Sequence, residues 1–396
     1  MPNIKITDQN LVENRFSRFE LISWWDQKKM KKANVLVIGA GALGNEIIKN
    51  CCLLGIGNIL IADMDTIENS NLSRSILYRE GDNGKYKAIV ASEVARQIYP
   101  EVKSNYFNGN IVHDLGLGVY HWADVIIGGL DNREARVSIN KHARFLNKTW
   151  IDGAIETLDG VARVFCPDEN ACYECTMNKT DWQILQNRRS CALMTRDQML
   201  QGRVPTTPTT SSIIAGIQTQ EAIKVIHGME INGGTGLQYS GLSGDIYKVT
   251  YKRKADCMAH NHIKKLIKLG KSVHTITIGE VFAKAKAELG DLPITIELSR
   301  DIITALFCPN CSTTEKIYKS LGNVKESDGF CKKCKEMRIP ETVYSLEEGQ
   351  FDENMTWGEI GVPPFDIINA RNEDTDISFL FDGDANSILG ILNNIS

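Results

Sequence analysis

The run VLVIGAGALG at residues 35–44 leaves the chain few folding choices. A short apolar run, Val35 to Ile38, ends in three glycines, Gly39, Gly41 and Gly44, at G-x-G-x-x-G spacing. Apolar residues then recur at Leu43, Ile47, Cys51 and Leu54, the period of a helix buried on one face. A second apolar run, Asn58 to Ala62, closes on Asp63. The order reads as strand, tight turn, helix, strand. Gly39 and Gly41 let the backbone turn and approach an anion, and Gly44 lets helix and strand pack closely. The unpaired N–H groups of the helix start suit a phosphate. Alone, this fingerprint fits any nucleotide, a nicotinamide dinucleotide included.

The alternation continues. Residues 87–98 read as a helix closed by Pro100, 102–107 as a strand, and 123–132 as an apolar strand ending in Asp131. A helix through Asn147 and a strand at 149–155 follow. This predicts an α/β fold, a Rossmann-like, mainly parallel sheet with helices on both faces. Gly39–Gly44, Asp63 and Asp131 all fall at strand C-terminal ends, where such sheets bind ligands. Upstream, residues 10–32 read as a helix with Arg15 and Arg18 on one face, by spacing a solvated basic face.

From about residue 160 the pattern loosens. Residues 176–210 form a long connection containing Arg188, Arg189, Cys191 and VPTTPTTSS. Thr210, Ser211 and Ser212 suit a helix start, and that helix stops at Gly228. A boundary near residue 270 gives a first domain, 1–270, and a smaller α+β region, 271–396. In the latter, VHTIT reads as a strand before a helix.

Six of the 11 cysteines form C-x-x-C pairs: Cys172 with Cys175, Cys308 with Cys311, and Cys331 with Cys334. The last two pairs, with 19 residues between them, make a zinc ribbon by spacing. Cys51 and Cys52 read as small core residues. The net charge of −4 argues against a general nucleic-acid binder. No apolar run is long enough for a membrane helix, and the polar start lacks a signal-peptide core, so a cytoplasmic protein is expected.

Beyond the glycines, IADMDTIENSNLSR, the lysine in GKYKA and then GGLDN follow in order. Over residues 12–260 this resembles the adenylating enzymes of the ubiquitin-activating superfamily, which includes activators of sulfur-carrier proteins. The resemblance implies ATP and magnesium. Asp63, beside Asp65, would bind ribose, Asn71, Arg74 and Lys87 would hold the triphosphate, and Asp131 would ligate magnesium. Arg18 matches an arginine that reaches the phosphates, often from the other subunit of a dimer, which replaces the solvated-face reading. Taken singly, Arg74 and Lys87 could be surface cations and Asp131 a helix N-cap. The resemblance also pairs Cys172 and Cys175 with Cys257 and His260 around a zinc, with His262 competing as fourth ligand, so two zincs are expected. Alternatively, Cys257 is a lone thiol.

The resemblance further implies a ubiquitin-like protein ending in glycine as partner, a homodimer, and Cys191 as nucleophile for a thioester passed to a conjugating enzyme. Arg188, Arg189 and Arg196 would favour a thiolate there. The competing readings are adenylation of a sulfur carrier without a thioester, and a non-catalytic scaffold. A dehydrogenase lacks a hydride-transfer residue.

Overall fold

A computed structural model describes residues 13–167, 170–190, 205–324 and 326–393. The first part runs α1 (Gln27–Lys32), β1 (Asn34–Ile38), α2 (Ala42–Leu54), β2 (Asn58–Ala62), α3 (Lys87–Ile98), β3 (Lys103–Phe107), α4 (Leu117–Trp122), β4 (Val125–Gly128), α5 (Arg133–Phe145), β5 (Trp150–Glu156) and β6 (Asp159–Phe165). It continues with α6 (Tyr173–Thr176), α7 (Lys179–Ser190), α8 (Pro208–His227), β7 (Thr235–Ser240) and β8 (Asp245–Thr250). The eight strands form one sheet in the order β3-β2-β1-β4-β5-β6-β7-β8. Pairing is parallel from β3 to β5 and antiparallel from β5 to β8.

β1 and β2 are buried on both faces, which is why they read as continuous apolar runs. Val35 and Val37 pack with residues of α2, α3 and α8 on one face. Leu36 and Ile38 pack with residues of α4 and α5 on the other.

The helices start and stop where side chains can satisfy their ends. Asn132 caps α5, its Oδ1 accepting from the Ala135 N–H at 2.8 Å. α8 begins earlier than Thr210: Thr207 is its cap, followed by Pro208 at the first helical position. The segment expected to be one helix over 10–32 is broken instead. Among its described residues only a 3₁₀ turn at Phe19–Leu21 and α1 are helical. Asp26 restarts the chain by accepting from the N–H groups of Lys28 and Lys29, and Trp24 and Trp25 turn aside to pack on His227 of α8.

The second part contains β9 (Leu266–Lys268), α9 (Ile278–Leu289), β10 (Thr295–Cys308), β11 (Thr313–Ser320), α10 (Glu326–Gly329), β12 (Ile339–Glu347), β13 (Ile367–Arg371), β14 (Asp376–Leu380) and α11 (Ala385–Leu389). Its sheet order is β11-β10-β13-β14-β9, with β12 paired to β10. The VHTIT stretch is no strand, because the Val273 N–H is held by the Asp384 carboxylate at 2.8 Å.

This second part shares a core with the first. α4 is one six-residue helix and leaves sheet surface beside it uncovered. Phe365, Ile367, Leu380, Ala385, Leu389 and Leu392 join Leu36, Ile38, Leu60 and Ala62 in one cluster. Polar contacts fix the seam. The Leu117 N–H donates to Asp366 Oδ1 at 2.8 Å, Ser299 Oγ to Asp366 Oδ2 at 2.7 Å, and Arg300 Nη2 to the Leu115 carbonyl at 2.9 Å. Ser299 and Arg300 reach the seam from an irregularity in the pairing of β10 with β12 between Glu297 and Ile302. The backbones approach so closely that a Cβ at Gly116 would lie 2.4 Å from the Pro364 carbonyl oxygen.

Candidate nucleotide site and metal clusters

The glycine turn is compressed from two sides. Gly39 has φ +93°, and a Cβ there would lie 2.5 Å from the Gly129 oxygen. A Cβ on Gly44 would lie 1.9 Å from the Gly39 oxygen. Gly41 differs: a Cβ there would meet nothing within 4 Å. The N-terminus of α2 therefore opens on free space, and Gly41 offers no side-chain cap. Its N–H groups suit a phosphate, so the cradle fits a nucleotide.

Two residues that the sequence reading passed over hold this turn. Asn45 Nδ2 donates to the carbonyls of Ala40 at 2.7 Å and Gly41 at 2.9 Å. Tyr78 Oη donates to the Ala40 carbonyl at 2.6 Å. With these carbonyls bonded inward, the turn is fixed in shape. A polar Asn within the apolar period of α2 was the available signal.

The other acids and cations approach from neighbouring strand ends. Asp63 Oδ2 accepts from the Ala40 N–H at 2.7 Å, and its Oδ1 from the Asp65 N–H at 2.8 Å. Burial raises the pKa of Asp63, opposed by the Lys87 charge and these two N–H groups. Lys87 Nζ lies 3.1 Å from Asp65 Oδ2. Asn71 and Arg74 are bonded within their own loop. Asn71 Oδ1 accepts from the Glu68 N–H at 3.0 Å, and Arg74 Nη1 donates to the Ser70 carbonyl at 2.7 Å. Asp131 is exposed at the end of β4, and the helix cap beside it is Asn132.

Arg18 stands apart. Phe16 packs on Gly55 and Tyr99, and Arg15 Nη2 donates to the Ile98 carbonyl at 2.6 Å. Gly55 ends α2, a 13-residue helix that begins at the cradle. The arginine segment is thus held about 20 Å from its own chain's Gly41, at a rise of about 1.5 Å per residue. Cys191 and Arg196 lie outside the described residues.

Two tetrads suit a metal. Cys172, Cys175, Cys257 and His260 converge, as do Cys308, Cys311, Cys331 and Cys334, with ligand atoms within 4.8 Å of one another in each group. In the first, Cys172 Sγ lies 3.7 Å from Cys175 Sγ and 3.6 Å from Cys257 Sγ, and Cys175 Sγ lies 3.3 Å from His260 Nε2. Zinc–sulfur bonds of about 2.3 Å in a tetrahedron set sulfurs about 3.8 Å apart, so both tetrads fit structural zinc. His260, not His262, completes the first group. Burial, with Arg144 and Arg253, lowers the pKa of His260 and favours the neutral ring that binds metal. Burial pushes the Cys257 thiol up to about 12, which a cation among the sulfurs would reverse. In the second group the N–H groups of Cys334 and Lys333 bring Cys331 down to about 6. No described helix is long and apolar enough to cross a membrane.

Comparisons with known proteins match this architecture. The sulfur carrier protein adenylyltransferase of Thermus thermophilus is 28% identical over 237 residues, 58% of this chain and 83% of that protein. The ubiquitin-activating enzyme E1-like protein of Saccharomyces cerevisiae is 35% identical over 156 residues, 39% of this chain but only 24% of its own length. The NEDD8-activating enzyme E1 catalytic subunit of Schizosaccharomyces pombe is 37% identical over a stretch covering 35% of that protein. The structure of E. coli MccB with ATP has the same fold, at a TM-score of 0.53 and 22% identity, over 64% of this chain and 75% of that one. The ThiF family model matches residues 13–259, and the chain belongs to the ThiF family of E1-like adenylating enzymes.

Proposed function

We propose that the chain uses ATP to adenylate the C-terminal glycine of a ubiquitin-like protein, takes the acyl group on Cys191 and passes it to a conjugating enzyme. The observation that carries this is the junction of the glycine turn with Asp63, Asp65 and Lys87, with the Gly129–Leu130 segment that leads to Asp131 packed on Gly39. The partner's carboxylate oxygen attacks the α-phosphorus, the bond to the bridging oxygen breaks, and pyrophosphate leaves. Attacker and target are both anionic, so fixed positive charge lowers the barrier. The N-terminus of α2 and Lys87 supply that charge, and Arg74 adds to it if its bond to Ser70 gives way. Asp63 would orient the ribose. Magnesium, held by Asp131, would supply further neutralisation. The Cys191 thiolate would then attack the acyl carbon and release AMP.

Arg18 follows Phe16, which packs at the end of α2 away from the cradle, so a second copy would supply it. A 1:1 mixture of Arg18→Ala and Lys87→Ala chains should then recover part of the activity that each lacks alone. No recovery would remove the shared-site arrangement.

A second reading is adenylation of a sulfur carrier without a thioester. It is favoured by the extent of the match to the Thermus protein, 83% of its length. ATP–pyrophosphate exchange that depends on a diglycine-ended partner is expected under both readings, and its absence would sink both. A reductant-sensitive adduct lost in Cys191→Ala supports the first. Exchange without an adduct supports the second.

A further inference from the structure

Asp152 of β5 is fully buried and shared by two arginines. Arg136 of α5 donates from Nε to Oδ1 at 3.0 Å, and Arg163 of β6 from Nε to Oδ2 at 2.8 Å. A buried ion pair of this kind is by default structural. The two arms, however, do different things with their remaining donors. Arg163 gives Nη2 to the same Asp152 Oδ2 and lies over Tyr173, 5.2 Å from the ring centre. Arg136 turns Nη2 onto the carbonyls of Gly153, at 3.0 Å, and of Leu130.

Leu130 precedes Asp131 in the short loop from β4 to α5. Gly129 pins one end of that loop, its N–H donating to the Ile38 carbonyl at 2.8 Å. The Asn132 cap pins the other. Only Leu130 and Asp131 lie between these anchors, and Arg136 grips the Leu130 carbonyl. A guanidinium can serve the carboxylate and both carbonyls at once because its donors form a planar fork; a lysine cannot.

We propose that Arg136 is a positioning residue, charged against Asp152, that fixes the Leu130 carbonyl and thereby sets the exposed Asp131 carboxylate beside the nucleotide cradle. The proposal rests on the reading that Asp131 holds magnesium beside ATP. It makes the two arms of one buried ion pair unequal: one sets the metal site, and the other only stabilises.

The test compares Arg136→Lys with Arg163→Lys in the full chain. Each keeps a cation near Asp152. Magnesium is titrated at fixed ATP, with nucleotide binding followed by calorimetry. Arg136→Lys should raise the magnesium needed for half-saturation about tenfold, the scale of losing a group that orients a metal ligand. Arg163→Lys should lower the unfolding midpoint but keep the wild-type magnesium requirement. Amide hydrogen exchange at residues 129–133 should quicken in Arg136→Lys alone, a readout independent of turnover. Arg136→Gln is the second variant if Arg136→Lys does not fold. Equal magnesium shifts in both arms, or none in the Arg136 variants, would overturn the inference while leaving the proposed function standing. A wild-type chain that binds no ATP at any magnesium concentration would overturn both.

Discussion

The part of the chain that the ThiF model matches and the part that follows it differ in what holds them together. The first, residues 13–259, is built around central strands, β1, β2 and β4, that are buried on both faces. The second is a mixed sheet that buries one set of side chains in its own core and lends another to the first part. The family match ends at residue 259, but the hydrophobic core continues across it. A boundary in sequence similarity is therefore not a boundary in folding.

Removing the second part is the strongest attempt to break that contrast. Six apolar side chains from Phe365 to Leu392 cover the first sheet. At about 1.5–3 kcal/mol for each larger one, they contribute about 10 kcal/mol, comparable to the whole stability of a typical domain. A chain ending at residue 262 should aggregate or unfold without cooperativity in calorimetry. A sharp, reversible transition in that fragment would show the shared core to be dispensable.

The two tetrads come next. The first joins residues 85 apart in sequence and is tied to α5 by Asn140, whose Nδ2 lies 3.5 Å from Cys172 Sγ. The second closes the ends of neighbouring strands. Cys172→Ser should cost several kcal/mol and lower the main unfolding transition, since structural zinc binding is coupled to folding. Cys331→Ser should lose one metal by elemental analysis and leave that transition nearly in place. Equal losses would show that the ribbon, too, is part of the central core.

A smaller effect is expected at the seam. Asp366→Ala leaves Arg300 buried without its carboxylate, 3.5 Å away, and strips the Leu117 N–H of its acceptor. Breaking such a pair costs about 3 kcal/mol. Chemical denaturation would measure it, and a change below about 1 kcal/mol would place the seam's strength in its apolar contacts.

The smallest effect is on pH dependence. His142 of α5 is buried against Tyr120, and burial, with Arg300 and Lys141, holds its pKa well below the ordinary value. The unfolded chain takes up a proton near pH 6.5 that the folded chain refuses. This group's stabilisation is complete above that pH and is lost as pH falls below it, at up to about 1.4 kcal/mol per unit. His142→Gln should flatten the acid limb of the stability curve. An unchanged limb would assign it to other groups, such as His113 and His121, whose pKa values burial also lowers.

How much of this was legible beforehand followed from how local each signal is. The centre of the parallel sheet was readable because β1, β2 and β4 are nearly unbroken apolar runs. The glycine turn was readable because spacing and backbone geometry are linked over a few residues. Asn45, Tyr78 and Asp152 were not, because their partners are backbone carbonyls or arginines brought close only by folding. The three-residue β9 was too short to show a period, and it is held by its parallel pairing with β14, more than a hundred residues away. The break in the first helix was missed because an Asp26 cap and two tryptophans outweigh helical propensity once α8 is in place.

The covering of the first sheet by the last described residues also has a consequence for synthesis. Leu36, Ile38, Leu60 and Ala62 leave the ribosome more than 300 residues ahead of their partners at 365–392. At roughly 5–20 residues per second, the nascent chain carries an uncovered apolar sheet face for roughly 15–60 s. During that interval its yield in the cell depends on whatever shields that face, more than on the stability of the finished fold.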